Sequence, residues 1–305
     1  MRLLRVGVQL PEAERLVRWT ELLAMARRVE DLGYDSIWIG DHLLYRNPGE
    51  PPRAPWEAWS LLSALAAVTS RVELGPLVAC TAFHNPAIVA KKAATIDEIS
   101  GGRLILGLGA GWHEPEYRAF GIPFDHRVGR FEEAFTIIRT LLREGEIDFA
   151  GQHYQARDCI LTPRGPRPGG PPLLVGSFGP RMLGITMPHV AYWNAWYGDF
   201  RNDPAALPPL LSKIDAACLT VGREPSEVAR TVAVLVGMTG STGRASADPL
   251  ERAIPPKKGT PEELADWLRA FARAGIAHVQ VVLDPITIKA IEEFAPVLAL
   301  LDRDV

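Results

Sequence analysis

Residues 103–112 read RLILGLGAGW, and the meaning of their glycines decides the fold. Leu104, Ile105, Leu106 and Leu108 make a short apolar run of the kind that a parallel sheet buries on both faces. The glycines suit two architectures: the phosphate turn of a doubly wound dinucleotide-binding sheet, or the end of one strand in a closed barrel. The dinucleotide fingerprint places its third glycine three residues after the second and needs an acidic residue at the end of the next strand. Here Gly111 follows Gly109 by two residues, and that acidic residue is missing. The spacing turns the reading towards the barrel.

The flanking sequence alternates strand and helix. Residues 3–10 form an apolar, β-favouring run; Trp19, Leu22, Leu23, Ala26 and Val29 then share one helical face, which Gly33 terminates. Residues 36–40 read as a second buried strand, 57–69 as a helix and 72–79 as a third strand. Asn85-Pro86 caps the next helix and Gly101-Gly102 closes it before the fourth strand, residues 103–109. Arg127–Glu144 carries Phe131, Phe135, Ile138 and Leu142 at helical spacing. Residues 146–172 break into short alternating segments and a Pro/Gly-rich stretch, and read as an inserted β-hairpin. Further strand candidates follow at residues 173–176, 190–194, 230–236 and 277–283. The helix before the last of these opens on Thr260-Pro261-Glu262-Glu263, a capping box, and closes at Gly275. Eight strands alternating with helices predict an α/β fold, a (β/α)8 TIM barrel forming one domain over residues 1–305 with an insertion at about 146–172.

Lys and Arg total 33 against 36 Asp and Glu, without any long run of one sign. Neither nucleic acid nor a membrane surface is an expected partner. Cys80, Cys159 and Cys218 are odd in number, far apart and without metal-ligand spacing, which predicts a reduced cytoplasmic protein lacking a structural metal. The chain runs from Met1 straight into an apolar strand-like segment and has no run of roughly 18 apolar residues, so neither an export signal nor a membrane span is expected.

In a barrel of this kind catalytic groups sit at the carboxyl ends of the strands. Those ends read Val8-Gln9-Leu10, Gly40-Asp41-His42, Leu77-Val78-Ala79-Cys80, Gly109-Ala110-Gly111-Trp112-His113 and Gly176-Ser177-Phe178-Gly179-Pro180. His42 follows a buried strand and a carboxylate, where an imidazole can donate or accept a proton. His113 and Tyr117 lie at i and i+4 in a segment that opens a helix, a spacing that puts both on one side. The turn at Gly176 to Arg181 precedes a helical run at 182–187, and is either an anion site made of backbone N–H groups or a plain tight turn. Trp56, Trp59, Phe83, Trp196 and Tyr197 fall near strand-end loops and suit either a substrate cavity wall or the core.

Four segments carry a resemblance: Gly40-Asp41-His42; Leu74-Gly75-Pro76-Leu77-Val78; Ser100-Gly101-Gly102-Arg103-Leu104 with the Gly107 to Trp112 stretch; and Tyr117-Arg118-Ala119-Phe120-Gly121. In order and spacing they resemble the luciferase-like flavin and deazaflavin oxidoreductases along nearly the whole chain. Cys218 with Gly222-Arg223-Glu224-Pro225 is similar to a sequence common in the branch that uses the deazaflavin coenzyme F420. The resemblance implies an oxidoreductase that transfers a hydride between F420 and a small organic substrate, apolar or planar. The alternatives are an FMN-dependent monooxygenase using O2, and a non-catalytic flavin-binding barrel. It implies His42 as the catalytic acid or base, with Asp41 orienting it. It also implies a cofactor site drawn from Gln9, Asp41, His42, Leu77, Val78, Ala110, Gly111, His113, Tyr117, Gly176, Ser177, Phe178 and Gly179, a non-prolyl cis peptide at Leu77-Val78, and a homodimer. Two departures stand out: Ser177 and Phe178 interrupt what is usually a denser glycine run, and Ala191-Tyr192 precede Trp193-Asn194 where the family commonly has an acidic residue.

Overall fold

The computed structural model describes residues 2–47, 49–244 and 249–304. Its strands are β1 (Arg5–Gln9), β2 (Ser36–Ile39), β3 (Glu73–Pro76), β4 (Ala79–Cys80), β5 (Leu106–Gly109), β6 (Glu146–Ala150), β7 (Gln155–Ile160), β8 (Leu173–Val175), β9 (Tyr192–Ala195), β10 (Ala229–Gly237) and β11 (Ile276–Asp284). The first helices are α1 (Trp19–Asp31), α2 (Ala58–Val68), α3 (Pro86–Ser100), α4 (Glu114–Ala119) and α5 (Arg127–Glu144). After the hairpin come α6 (Pro180–Thr186), α7 (Pro208–Thr220), α8 (Pro249–Arg252), α9 (Pro261–Arg273) and α10 (Ile288–Leu301).

Nine strands hydrogen-bond side by side in the order β3-β2-β1-β11-β10-β9-β8-β5-β4, with every neighbouring pair parallel. The ends of that order meet: Leu74 bridges Leu104, and the Ile105 N–H donates to the Leu74 carbonyl at 2.9 Å. The result is a nearly closed α/β barrel ringed by helices, as the alternation predicts. Local signals act as expected. The Asn85 side chain accepts from the Ala87 and Ile88 N–H groups, and Thr260 with Glu263 forms a reciprocal capping box.

The third strand differs from its expected form. It is two pieces, β3 against β2 and β4 against β5, broken at Leu77–Val78, whose peptide is cis as the resemblance implies. The glycines of β5 make room for the break. A Cβ at Gly107 would lie 2.2 Å from the Pro76 carbonyl oxygen, and one at Gly109 2.7 Å from a Val78 methyl. The glycine run that imitates a phosphate turn is therefore a packing requirement of the neighbouring strand. Arg103, at the end of the same motif, is a structural clamp: its guanidinium donates to the carbonyls of Ala66, Thr69, Val72 and Ser100, tying the ends of α2 and α3 together.

Residues 146–160 form the expected hairpin, β6 and β7 pairing antiparallel outside the barrel wall. Its base closes where the Leu161 N–H donates to the Gly145 carbonyl at 2.7 Å. Its turn is held by the Glu133 carboxylate of α5, which accepts from the N–H groups of Gln152, His153 and Tyr154.

Alternation along each strand sends Val6, Val8, Ile37, Ile39, Val279 and Val281 outward into the apolar layer beneath the helices. The other face of the same strands carries Gln9, Ser36, Trp38, His278 and Gln280 into the barrel. Asn194 donates there to Thr231 Oγ1 and Gln280 Oε1, both at 2.8 Å, and Ser36 Oγ lies 2.8 Å from His278 Nε2. The interior of the barrel thus combines these hydrogen-bonded polar groups with an apolar cluster of Trp38, Ile105 and Leu174.

Burial, with a smaller contribution from Arg5, holds the His278 imidazole well below its ordinary value, so it stays neutral in the folded chain. Below about pH 6.5 the unfolded chain takes up a proton there that the folded chain does not, and stability falls with acidification. His278→Asn is expected to flatten this dependence. Thermal midpoints at pH 7 and pH 5 should converge for the variant relative to wild type, by up to about 1.4 kcal/mol per pH unit. Parallel wild-type and variant curves would show that His278 titrates alike in the folded and unfolded chain, and would remove burial as an influence on it.

Candidate active site

At the carboxyl ends of the strands lies a cavity of about 590 Å³. Each strand delivers its last residues there because the parallel ladder points every carboxyl end the same way. Of the residues expected from the sequence, Gln9, Asp41, His42, Leu77, Val78, Ala110, Gly111, Gly176, Ser177 and Phe178 line it. Gly179 caps α6 at the rim and is not among the lining residues.

His42 sits just after β2 with its side chain 19% exposed, and its Nδ1 is 2.9 Å from Glu116 Oε1. Glu116 is almost fully buried, and its other oxygen accepts the backbone N–H groups of Leu43 and Leu44. Among the described residues the His42 Nε2 has no hydrogen-bond partner. Burial works against a proton on this imidazole, but the Glu116 hydrogen bond and the charges of Glu12, Glu116 and Asp41 outweigh it and raise its pKa.

Asp41 has a different task from the expected one. Its carboxylate accepts the Cys80 N–H at 2.9 Å and lies 3.3 Å from His84 Nε2, binding the end of β2 to the end of β4. The group that holds His42 is Glu116, which comes from α4.

His113 and Tyr117 do not share a face of the cavity, and neither lines it. His113 stands at the N-cap of α4, beside Tyr45 and Trp112, and burial lowers its pKa. Tyr117 is fully buried, its hydroxyl 2.8 Å from the Ala110 carbonyl and 3.0 Å from Cys80 Sγ. Gly111 has φ +72° and passes so close to this pair that a Cβ would lie 1.9 Å from the Tyr117 oxygen. Burial also pushes the Cys80 thiol up to about 12, so this cavity-lining cysteine stays protonated. Of the expected aromatic wall only Trp196 faces the cavity; Trp59 and Tyr197 are buried, Phe83 packs on Tyr117, and Trp56 is exposed with its indole bonded to the Val17 carbonyl. Trp112, which belongs to a strand end but not to the expected aromatic wall, also lines the cavity.

The sequence also left Glu12, Glu14, Tyr45 and Arg244 unassigned, and all four line the cavity. Glu12 lies over Gly40, where a Cβ would come 2.2 Å from its carboxylate, and accepts from the Tyr45 hydroxyl at 3.0 Å. Burial raises its pKa against the pull of His42 and Arg244.

A flavin-type cofactor needs a largely apolar slot with a few polar anchors. The Gln9 side-chain oxygen and the Ser177 hydroxyl are buried without a partner. Leu77, Val78 and Phe178 provide apolar surface beside them. Both unpaired atoms suit a heterocycle bearing hydrogen-bonding edges, so the residues present fit such a group. Among the described residues there is no cluster of three or more metal-ligating side chains, and no helix is long and apolar enough to cross a membrane.

The family model for luciferase-like monooxygenases matches residues 3–250. The chain belongs to that family. A pyrimidine monooxygenase, RutA, of Stutzerimonas stutzeri is 32% identical over 237 residues, 75% of this chain and 63% of its own length, so the chain spans less than two thirds of that relative. Two solved structures share the fold. An F420-dependent secondary alcohol dehydrogenase bound to an F420-acetone adduct superposes with a TM-score of 0.81 at 20% identity, covering 99% of both chains. A riboflavin lyase with modified FMN and riboflavin also gives 0.81, at 17% identity, covering 99% of this chain and 92% of the other. The fold is thus shared with one protein bound to an F420 adduct and one bound to modified FMN. The Cys218 to Pro225 motif bears on packing: Cys218 is buried, and Arg223 donates to the carbonyls of Met187 and Val190, none of which lines the cavity.

Replacing Glu116 with Gln keeps an acceptor for the Leu43 N–H and removes the charge beside His42. The His42 pKa should fall, because a hydrogen bond to a close opposite charge is lost. Titration of the His42 ring by ¹H–¹⁵N NMR in wild type and Glu116→Gln measures it; an unchanged titration would remove Glu116 as the group that tunes His42.

Proposed function

We propose that the protein is an oxidoreductase that exchanges hydride between a bound deazaflavin, F420, and a small organic substrate, with His42 as the proton donor and acceptor. The observation that carries this reading is the His42–Glu116 pair at the mouth of the strand-end cavity. A bound deazaflavin supplies a two-electron hydride exchange, and the oxygen of a carbonyl substrate then needs a proton from elsewhere. Leu77, Val78 and Phe178 would hold its ring, with the Gln9 oxygen and Ser177 hydroxyl taking up its polar edges.

With Nδ1 committed to Glu116, the imidazole is fixed in orientation and its Nε2 is left to serve the substrate. In reduction the protonated ring gives its Nε2 proton to the carbonyl oxygen as the hydride reaches the carbon, yielding the alcohol. In oxidation the neutral ring takes the hydroxyl proton as the hydride leaves. The raised pKa keeps the donor form populated near neutrality and suits the first direction. Carbonyl reduction should accordingly decline on the alkaline side of pH 6.5, as the ring loses its proton.

The pyrimidine monooxygenase likeness supports a second reading, an FMN-dependent monooxygenase. The two separate on oxygen. Titration with F420 and with FMN, followed by anaerobic single turnover with a ketone, should show F420 binding and product without O2. O2 uptake in step with product, with FMN bound and no affinity for F420, would decide for the second reading. His42→Ala should slow hydride transfer by about 10²–10⁴-fold while leaving cofactor affinity nearly unchanged. A wild-type rate in that variant across pH 6 to 8 would remove His42 from the chemistry.

A further inference from the structure

Arg244, Glu12 and Glu14 line the same cavity but are neither the proton-transferring group nor among the residues proposed to hold the cofactor. Arg244, on the segment after β10, reaches across to the loop after β1. Its Nη2 lies 3.0 Å from Glu14 Oε1 and 3.3 Å from Glu12 Oε2, and its guanidinium carbon is 5.1 Å from the centre of the Trp196 ring. The side chain is only 10% exposed, and its second nitrogen, Nη1, is buried with no acceptor. Glu12 in turn receives the Tyr45 hydroxyl, and Tyr45 packs against His42 with ring centres 4.6 Å apart. The cluster thus sits two side chains from the imidazole, in the wall of the same cavity.

We propose that Arg244, Glu12 and Glu14 form a recognition subsite for a neutral carboxamide-type group, an amide, imide or lactam edge carried by the substrate beside its reacting atoms. The proposal rests on the reading that the cavity takes an organic substrate. An unpaired guanidinium N–H asks for an acceptor oxygen, since a buried donor left unmade is costly. The two carboxylates beside it retain lone pairs that accept an N–H. A C=O and an N–H on one edge satisfy both.

Charge excludes the neighbours of that group. Two carboxylates against one guanidinium leave the cluster acidic, so a carboxylate or phosphate ligand meets like charge there. A cationic amine would find the carboxylates but leave Nη1 without an acceptor. A simple ketone or alcohol would satisfy Nη1 and leave the acceptors idle.

The test uses four matched probes, benzamide, benzoate, benzylamine and acetophenone, titrated calorimetrically into the cofactor-free protein and into protein preincubated with F420. Benzamide should bind tightest, about tenfold or more ahead of benzoate. In Arg244→Met, with folding verified by circular dichroism, the preference for benzamide should vanish. Glu14→Gln keeps Arg244 and removes one charge, so benzoate should gain about fivefold while benzamide changes little. Benzoate or benzylamine binding wild type as tightly as benzamide would overturn the proposal. So would a Glu14→Gln protein with unaltered ranking, which decides the matter if the Arg244 variant does not fold. A benzamide preference without F420 binding would instead remove the cofactor reading and leave the subsite standing.

Discussion

One buried carboxylate organises the mouth of the barrel. Glu116 projects from α4 and meets the loop after β2 with both oxygens, one on the His42 ring and one on the Leu43 and Leu44 N–H groups. Two consecutive backbone donors and an imidazole thus converge on a single side chain that water barely reaches. A carboxylate in such surroundings is tolerable only because its lone pairs are taken up by donors and a cation. The same contacts set the direction of the His42 ring, the course of the loop that carries Tyr45, and through Tyr45 the seat of Glu12. The His42 imidazole, the group that tunes it and this part of the cavity wall are therefore mechanically one unit.

Much of the fold could be read because its signals are local. Helix caps at Asn85 and Thr260, the αL glycine at Gly101 and the apolar strand runs each depend on a few adjacent residues, and the structure places them as expected. The third strand was less legible. Its division at Leu77–Val78 answers to room made by Gly107 and Gly109 some thirty residues later, which no periodicity in residues 72–79 encodes. The inner face of the barrel was hidden too, because Ser36, His278 and Gln280 become partners only after strands from opposite ends of the chain pair.

The candidate site divides along the same line. His42 and the strand-end residues were accessible because a barrel's carboxyl ends are known once its strands are. Glu116 was within reach: it stands three residues after His113 at the opening of a helix, so the spacing that singled out His113 and Tyr117 also covered it, but the imidazole it serves is 74 residues away. Arg244 and Glu12 are separated by 232 residues, and neither occurs in a motif. Asp41 shows the opposite error, for adjacency to a histidine suggested partnership where the carboxylate in fact joins two strand ends.

The hairpin of β6 and β7 is closed at its own base. Its first and last residues are neighbours, joined through the Gly145 carbonyl and the Leu161 N–H, so the path from α5 to β8 is the one the chain would take if the hairpin were absent. Its turn leans on Glu133, a residue of the helix before it, and not on the strand ends. An addition of this shape asks nothing of the barrel's register. Its length and sequence are therefore free of the constraints that pair the barrel strands and shape the strand-end cavity.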